Sequence, residues 1–270
     1  MRVLVHLSDL HFGRIDERLP EPLVAAVEAA KPDVVVVSGD LTQRARESEF
    51  KAARAFLERL PTPRVVVAGN HDVPLYNVID RFLQPLALFQ TYIESNPMPR
   101  FFDAQLAVVG VNTARSMVMK NGRINREQID AVRAAFSTAH ADAVRVVVTH
   151  HPFDAGDAMN AGDRVGRAAL AMQAFAECGV DLMLSGHLHR AYSGRSALSD
   201  RTLESQGVLA VSAGTATSTR VRGEPNEFNV LRLSKQQVEI ERLTWSIEVG
   251  AFERSEISSF VRGMGGWIRA

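Results

Sequence analysis

Six of the eight histidines in this 270-residue chain belong to five short polar clusters, each placed directly after an apolar run. The clusters are Asp9 and His11 in SDLH, Asp40 in SGDL, Asn70, His71 and Asp72 in GNHD, His150 and His151 in THHP, and His187 and His189 in SGHLH. Imidazole nitrogens with carboxylate and amide oxygens, and no thiolate, suit Mn, Fe, Zn, Co or Ni rather than a structural zinc–thiolate site. Gathered without a cation, the carboxylates would repel one another, and a buried unpaired charge is expensive. Three or four histidines, two or three carboxylates and an amide are too many ligands for one first-row ion and suit two ions sharing a bridging carboxylate. Two-metal sites, with ions about 3.5–4 Å apart, recur in phosphatases, nucleases and some peptidases because the pair polarises the reacting centre and supplies hydroxide near neutral pH.

The pattern between the clusters predicts how they meet. RVLVHLS (2 to 8), PDVVVVSGD (32 to 40) and RVVVAGN (64 to 70) alternate with amphipathic stretches at 20 to 30 and 47 to 60. VRVVVTHH (144 to 151) and VDLMLSGHLH (180 to 189) flank a helix near 165 to 177, and another helix is expected near 125 to 138. Short apolar runs separated by helices read as βαβ units and a largely parallel sheet. Parallel strands end at one edge, where open α/β sheets bind ligands, so the five clusters should converge there. Further on, GVLAVSAGTATST, NEFNVLRLS and QVEIERLTW read as consecutive strands in antiparallel pairing. No linker divides the chain, so residues 1–250 are expected to form one domain, with motifs in 1–192 and C-terminal strands in 193–245. Residues 251–270, which carry Phe260, Trp267 and Ile268, are expected to dock on the body or to pair with another subunit as a homo-oligomer.

Lysine plus arginine equals aspartate plus glutamate at 31 each, so there is no general basic surface for a nucleic acid polymer or anionic lipid. No stretch reaches the roughly 18 apolar residues of a membrane span. A single cysteine, Cys178, and the absence of a signal-like N-terminus point to a cytoplasmic location. His6, inside a strand, is expected to be a core histidine, and His140 a surface or capping residue. Phe82, Phe89 and Tyr92 follow a helical spacing that suits a core face, although their place after GNHD also suits a lid. The hydroxyls and arginines of GTATSTRVRG offer Arg220 or Arg222 to a phosphate.

In this order and with these intervals, DLH, GD, GNHD, HH and GHLH resemble the binuclear metallophosphoesterase (calcineurin-like) superfamily. Within it they are similar to the bacterial branch of class III cyclic-nucleotide phosphodiesterases and glycerophosphodiesterases. The resemblance implies an α/β fold, a four-layer αββα sandwich with two mixed β-sheets and the metal site at the carboxyl ends of the strands. It implies that Asp9, His11 and His189 hold one metal, that Asn70, His150 and His187 hold the second, and that Asp40 bridges them. Either histidine of HH could ligate; alignment with the family selects His150 and leaves His151 in support. His71 falls where the family contacts phosphate and assists the leaving group, and Asp72 could orient it or cap the following turn. The activity implied is that of a phosphodiesterase on small phosphodiesters such as 3′,5′-cyclic nucleotides, using two Mn, Fe or Zn ions. A phosphomonoesterase or pyrophosphate hydrolase is the alternative, and an inactive binding scaffold the remote one.

Overall fold

A computed structural model describes residues 1–75, 81, 83–116, 121–154, 164–196, 207–220 and 223–270. Three parallel strands open the chain, β1 (Arg2–Leu7), β2 (Val34–Ser38) and β3 (Arg64–Val67), linked through helices α1 (Pro20–Ala29) and α2 (Glu47–Glu58). Four antiparallel strands continue the same sheet from β1: β10 (Glu227–Leu233), β11 (Gln237–Ser246), β12 (Ala251–Gly263) and β13 (Gly266–Arg269). A second, six-stranded sheet runs β4 (Arg100–Phe102), β5 (Leu106–Gly110), β6 (Val144–Val148), β7 (Leu182–Ser185), β9 (Leu209–Ser212) and β8 (Tyr192–Arg195). Its four inner strands are parallel and its two edges antiparallel.

The valine runs are explained by burial on both faces. Along β1 and β2, Leu4, Val34 and Val36 point between the sheets, where they meet Leu106, Val146 and Leu182 of the second sheet. Their neighbours Val5, Leu7, Val35 and Val37 point outward under α1 and α2. The outer face of the second sheet is covered in the same way by α4 (Arg126–Ser137) and α5 (Ala168–Glu177), through Ile129, Val132, Phe136 and Phe175. The layers therefore run α, β, β, α, the four-layer sandwich with two mixed sheets.

One expected pairing is corrected. β9 is not an antiparallel neighbour of β10; it lies in the other sheet, parallel to β7, with Leu182 opposite Leu209. All four of its residues are buried, as suits an interior parallel strand, so proximity in sequence misidentified its partner. The consequence is functional, because the segment after β9 must cross between the sheets, directly over their shared edge.

The last two strands carry large side chains into the inter-sheet core. Phe260 and Trp267 are buried there, and the Trp267 indole donates to the carbonyl of Asp181 at 3.1 Å. Arg262 lies over the Trp267 ring, 4.1 Å from its centroid, and pairs with the Asp181 carboxylate. Trp267→Ala is expected to destabilise the protein by about 3–5 kcal/mol, the range for truncating a buried aromatic, as measured by urea unfolding. Loss of less than about 1 kcal/mol would mean that the hairpin contributes little to the core.

Of the possible lid residues, Phe89 is 5% exposed and packs, with Tyr92, against the core beneath α2, on α3 (Ala87–Tyr92). Phe89 is a core side chain, Tyr92 is half-buried at the margin with its hydroxyl donating to Glu47, and Phe82 lies outside the described residues.

Candidate dimetal centre

The carboxyl ends of β1, β2, β3, β6 and β7 bring together all seven residues expected to ligate metal. Asp9, His11, Asp40, His150, His187 and His189 are buried, and Asn70 is half-buried. Five of them, Asp9, His11, Asp40, His187 and His189, adopt left-handed backbone conformations with φ between 52° and 71°. Such a conformation costs a non-glycine residue of order 1–3 kcal/mol and persists where function demands it. The sharp reversals are held in place by His11 N–H donating to the Asp40 carbonyl at 2.9 Å and Asp9 N–H donating to the Gly39 carbonyl at 3.1 Å.

Two groups of donors result. In the first, His189 Nε2 lies 3.2 Å and His11 Nε2 3.5 Å from Asp9 Oδ1, and the two imidazole nitrogens are 3.4 Å apart. In the second, His150 Nε2 and His187 Nδ1 each lie 3.1 Å from Asn70 Oδ1. Asp40 spans them: its Oδ2 is 3.7 Å from His11 Nε2 and its Oδ1 is 3.3 Å from His150 Nε2.

Groups behind the ligands leave selected atoms facing inward. Asp9 Oδ2 accepts from Ser8 Oγ at 2.6 Å and from the His187 N–H at 3.0 Å, while its Oδ1 is buried without a hydrogen bond. The Nδ1 atoms of His150 and His189 face the carbonyls of Ser38 (2.8 Å) and Arg220 (3.1 Å), which fixes their tautomers and directs Nε2 inward. Burial pushes the Asp40 carboxyl upward, but His150, His11 and His71 outweigh it and hold it well below its ordinary range. Asp9 is likewise lowered against its burial by His189, His11 and His150. Ionised carboxylates, an orphaned buried oxygen and converging ring nitrogens fit two divalent cations, whose charge compensates the buried anions.

His71 stands beside these groups. Its Nδ1 faces the Gln43 carbonyl at 2.8 Å, so the ring carries its proton there, and Nε2 accepts from Arg220 Nη1 at 2.8 Å. Burial lowers its basicity further than Asp40 raises it. Its backbone N–H donates to Asp40 Oδ1 at 2.8 Å, tying the Asp40 carboxylate to the GNHD turn. Among the described residues Asp72 makes no hydrogen bond to the His71 ring. Instead it accepts from the N–H groups of Gly69 (2.9 Å) and Thr42 (2.9 Å) and from Thr42 Oγ1 (2.9 Å), which locks the second and third strand ends together.

His151 lies next to the second group. Its Nδ1 meets Thr113 Oγ1 at 2.8 Å, and one of its ring nitrogens lies within 4.8 Å of donor atoms of His150 and His187. His6 meets Ser38 Oγ at 2.9 Å and is carried to about 3 by burial, as a neutral core imidazole would be. Among the hydroxyls of the crossing segment, Thr215 and Thr217 donate to the carbonyls of Asp9 and Leu10 at 2.7 Å, so both hold the loop after β1. Arg220 faces the centre, and Arg222 lies outside the described residues. The Gln43 and Arg220 carbonyls have no signature in a sequence, because any residue supplies a carbonyl.

Close approach also fixes a glycine. A methyl group at Gly69 would overlap Asp40 Oδ1 and the Asp40 backbone nitrogen. Gly69→Ala is therefore expected to displace the bridging carboxylate and lower phosphoester hydrolysis about a hundredfold, the scale of a 1 Å misplacement in a reactive geometry. A steady-state assay showing wild-type turnover would mean that Asp40 tolerates the shift.

Fold and donor set together define a protein of the dinuclear metal-binding class. The Calcineurin-like phosphoesterase family model matches residues 2–191, and the chain belongs to that family of metal-dependent phosphoester hydrolases. It is 33% identical over 81 residues to glycerophosphodiester phosphodiesterase GpdQ of Enterobacter lignolyticus, a stretch covering 26% of this chain and 29% of that protein. It is 29% identical over 80 residues to a Synechococcus protein named "Probable cyclic nucleotide phosphodiesterase", covering 26% of this chain and 31% of the relative. The chain thus matches less than a third of the length of either relative. Among solved structures it is similar to a dimetal phosphatase from Danio rerio (TM-score 0.65, 12% identity, covering 97% of this chain and 99% of that one). It also resembles purple acid phosphatase PPD1 from yellow lupin seeds (TM-score 0.67, 12% identity, 95% of this chain and 53% of that one). At these identities the likeness concerns the fold. Among the described residues no helix is long and apolar enough to cross a membrane.

Proposed function

We propose that the protein is a phosphodiesterase acting on small phosphodiesters, with 3′,5′-cyclic nucleotides the leading example. The observation that carries this reading is the Asp40 carboxylate, whose oxygens lie 3.7 Å from His11 Nε2 and 3.3 Å from His150 Nε2, one in each donor group. On this reading Asp9, His11 and His189 hold one ion, Asn70, His150 and His187 the second, and Asp40 both. His151 supports His150 and His187 from the side. The donor set suits Mn, Fe or Zn, and the names of the two sequence relatives support a diester rather than a monoester. A lone cysteine supports residence in the reducing cytoplasm.

When bound, the ions supply Lewis acidity and a nucleophile at neutral pH. The chain supplies the remainder. Arg220 exchanges its bond to neutral His71 for the phosphate, a stronger charge-assisted partner. The exchange frees His71 Nε2, which takes a proton from solvent beside the anionic phosphate to become imidazolium, then hands that proton to the departing oxygen and returns to the neutral form, while the Gln43 carbonyl keeps the ring oriented. The Asp72 and Ser8 contacts keep the ligand loops from moving as charge develops. Purified protein with Mn²⁺ should cleave bis(p-nitrophenyl) phosphate faster than p-nitrophenyl phosphate, and 3′,5′-cyclic AMP should then be tested. Cleavage of the monoester alone would overturn the diesterase assignment and identify a phosphatase.

A further inference from the structure

One cavity, of about 510 Å³, lies between α2 and α3 and shares no lining residue with the dimetal centre. A second, of about 290 Å³, adjoins that centre, since Asn70 and His71 line it. Gln43, whose carbonyl orients His71, continues the wall, and Val73 and Leu75 supply an apolar side. Two guanidinium-bearing residues, Arg44 and Arg81, complete it, and among the described residues no carboxylate lines it.

Arg81 is the unusual member. It is only 8% exposed, whereas a long cationic side chain ordinarily carries its head into water. Its Nε donates to the Ser116 carbonyl at 2.9 Å and its Nη1 to the Pro74 carbonyl at 3.0 Å, which fixes the guanidinium plane. Carbonyls orient a guanidinium without cancelling its charge. A fixed cation beside an apolar wall, within a volume suited to one arm of a small ester, is the environment that selects an organic anion. Because His71, which on the reading above meets the departing oxygen, lines this cavity, the arm entering it is the one that departs.

We propose that Arg81 and Arg44 make this cavity a specificity pocket for a leaving arm that itself carries an anionic group, a carboxylate or a further phosphate. This inference rests on the phosphodiesterase reading and, among the small diesters it covers, favours open-chain ones with an acidic alcohol over 3′,5′-cyclic nucleotides, whose departing oxygen carries no second anionic group. The same hydrolysis would then favour diesters of an acidic alcohol over diesters of a neutral one of equal size.

The test compares two diesters, phenyl 4-carboxyphenyl phosphate and phenyl 4-carbamoylphenyl phosphate, which differ in the charge of the departing phenol. Wild-type protein with Mn²⁺ is expected to show a kcat/KM ratio of carboxylate to amide of about ten or more, the scale of one hydrogen bond to a charged group. Arg81→Gln and Arg44→Gln should each bring that ratio toward one. The ratio is independent of the fraction of active protein, so a partly unfolded variant does not obscure it. Cleavage of both diesters by wild type with a ratio near one, or an unchanged ratio in both variants, overturns the pocket and leaves the phosphodiesterase reading standing. Cleavage of neither diester, nor of bis(p-nitrophenyl) phosphate, overturns the phosphodiesterase reading and the pocket with it.

Discussion

Asp40→Asn is expected to reduce phosphoester hydrolysis by about 10²–10³-fold, the scale associated with removing one preorganised charge-stabilising group from a catalytic site. The side chain is 1% exposed and reaches His11 on one side and His150 on the other. Asparagine preserves its volume but removes the negative charge that both cations would share. Its NH₂ would also face one imidazole nitrogen that should ligate a metal. Metal content should therefore fall from two ions per chain toward one, while the fold, held by valine and leucine layers remote from this edge, persists. Atomic emission on dialysed protein checks the first point and circular dichroism the second. Wild-type metal content in a stable but inactive variant would show that Asp40 acts on substrate and not as a bridge.

His71→Asn should behave differently. The residue touches neither donor group as a ligand, yet its Nε2 meets Arg220 and its Nδ1 is anchored on the Gln43 carbonyl. Removing a positioned general acid typically costs 10²–10⁴-fold. We expect a kcat lower by about that amount with two ions still bound. The loss should be smaller for a nitrophenolate leaving group, which needs little protonation, than for an alkoxide such as the ribose oxygen of a cyclic nucleotide. Equal losses on both would assign His71 to phosphate binding alone. Loss of metal would mean that its N–H contact with Asp40 is what keeps the bridge in place.

Much of this was legible in the residues themselves. An apolar run that turns abruptly polar can be read as a strand ending in a site, and β1, β2, β3, β6 and β7 all end in this way, with glycine at the turn after β2, β3 and β7. The αββα layering followed from the resemblance carried by those endings, together with the change in strand pattern after residue 190. What stayed hidden falls into two kinds. The sheet to which β9 belongs is decided by long-range packing, and four consecutive buried residues fit a parallel or an antiparallel partner equally well. The orienting groups are backbone carbonyls of Gln43, Ser38 and Arg220, and no residue type announces a carbonyl. Asp72 was visible as a polar residue, but its role follows from the meeting of two loops that lie about thirty residues apart in the chain.

The shared carboxylate of a two-ion site is the central claim, and stoichiometric reconstitution tests it most directly. Metal-stripped protein titrated with Mn²⁺ and assayed on bis(p-nitrophenyl) phosphate should gain activity up to two ions per chain and then plateau, with Asp40→Asn failing to reach that plateau. Hydrolysis that survives metal stripping, or that saturates at one ion per chain, would contradict it.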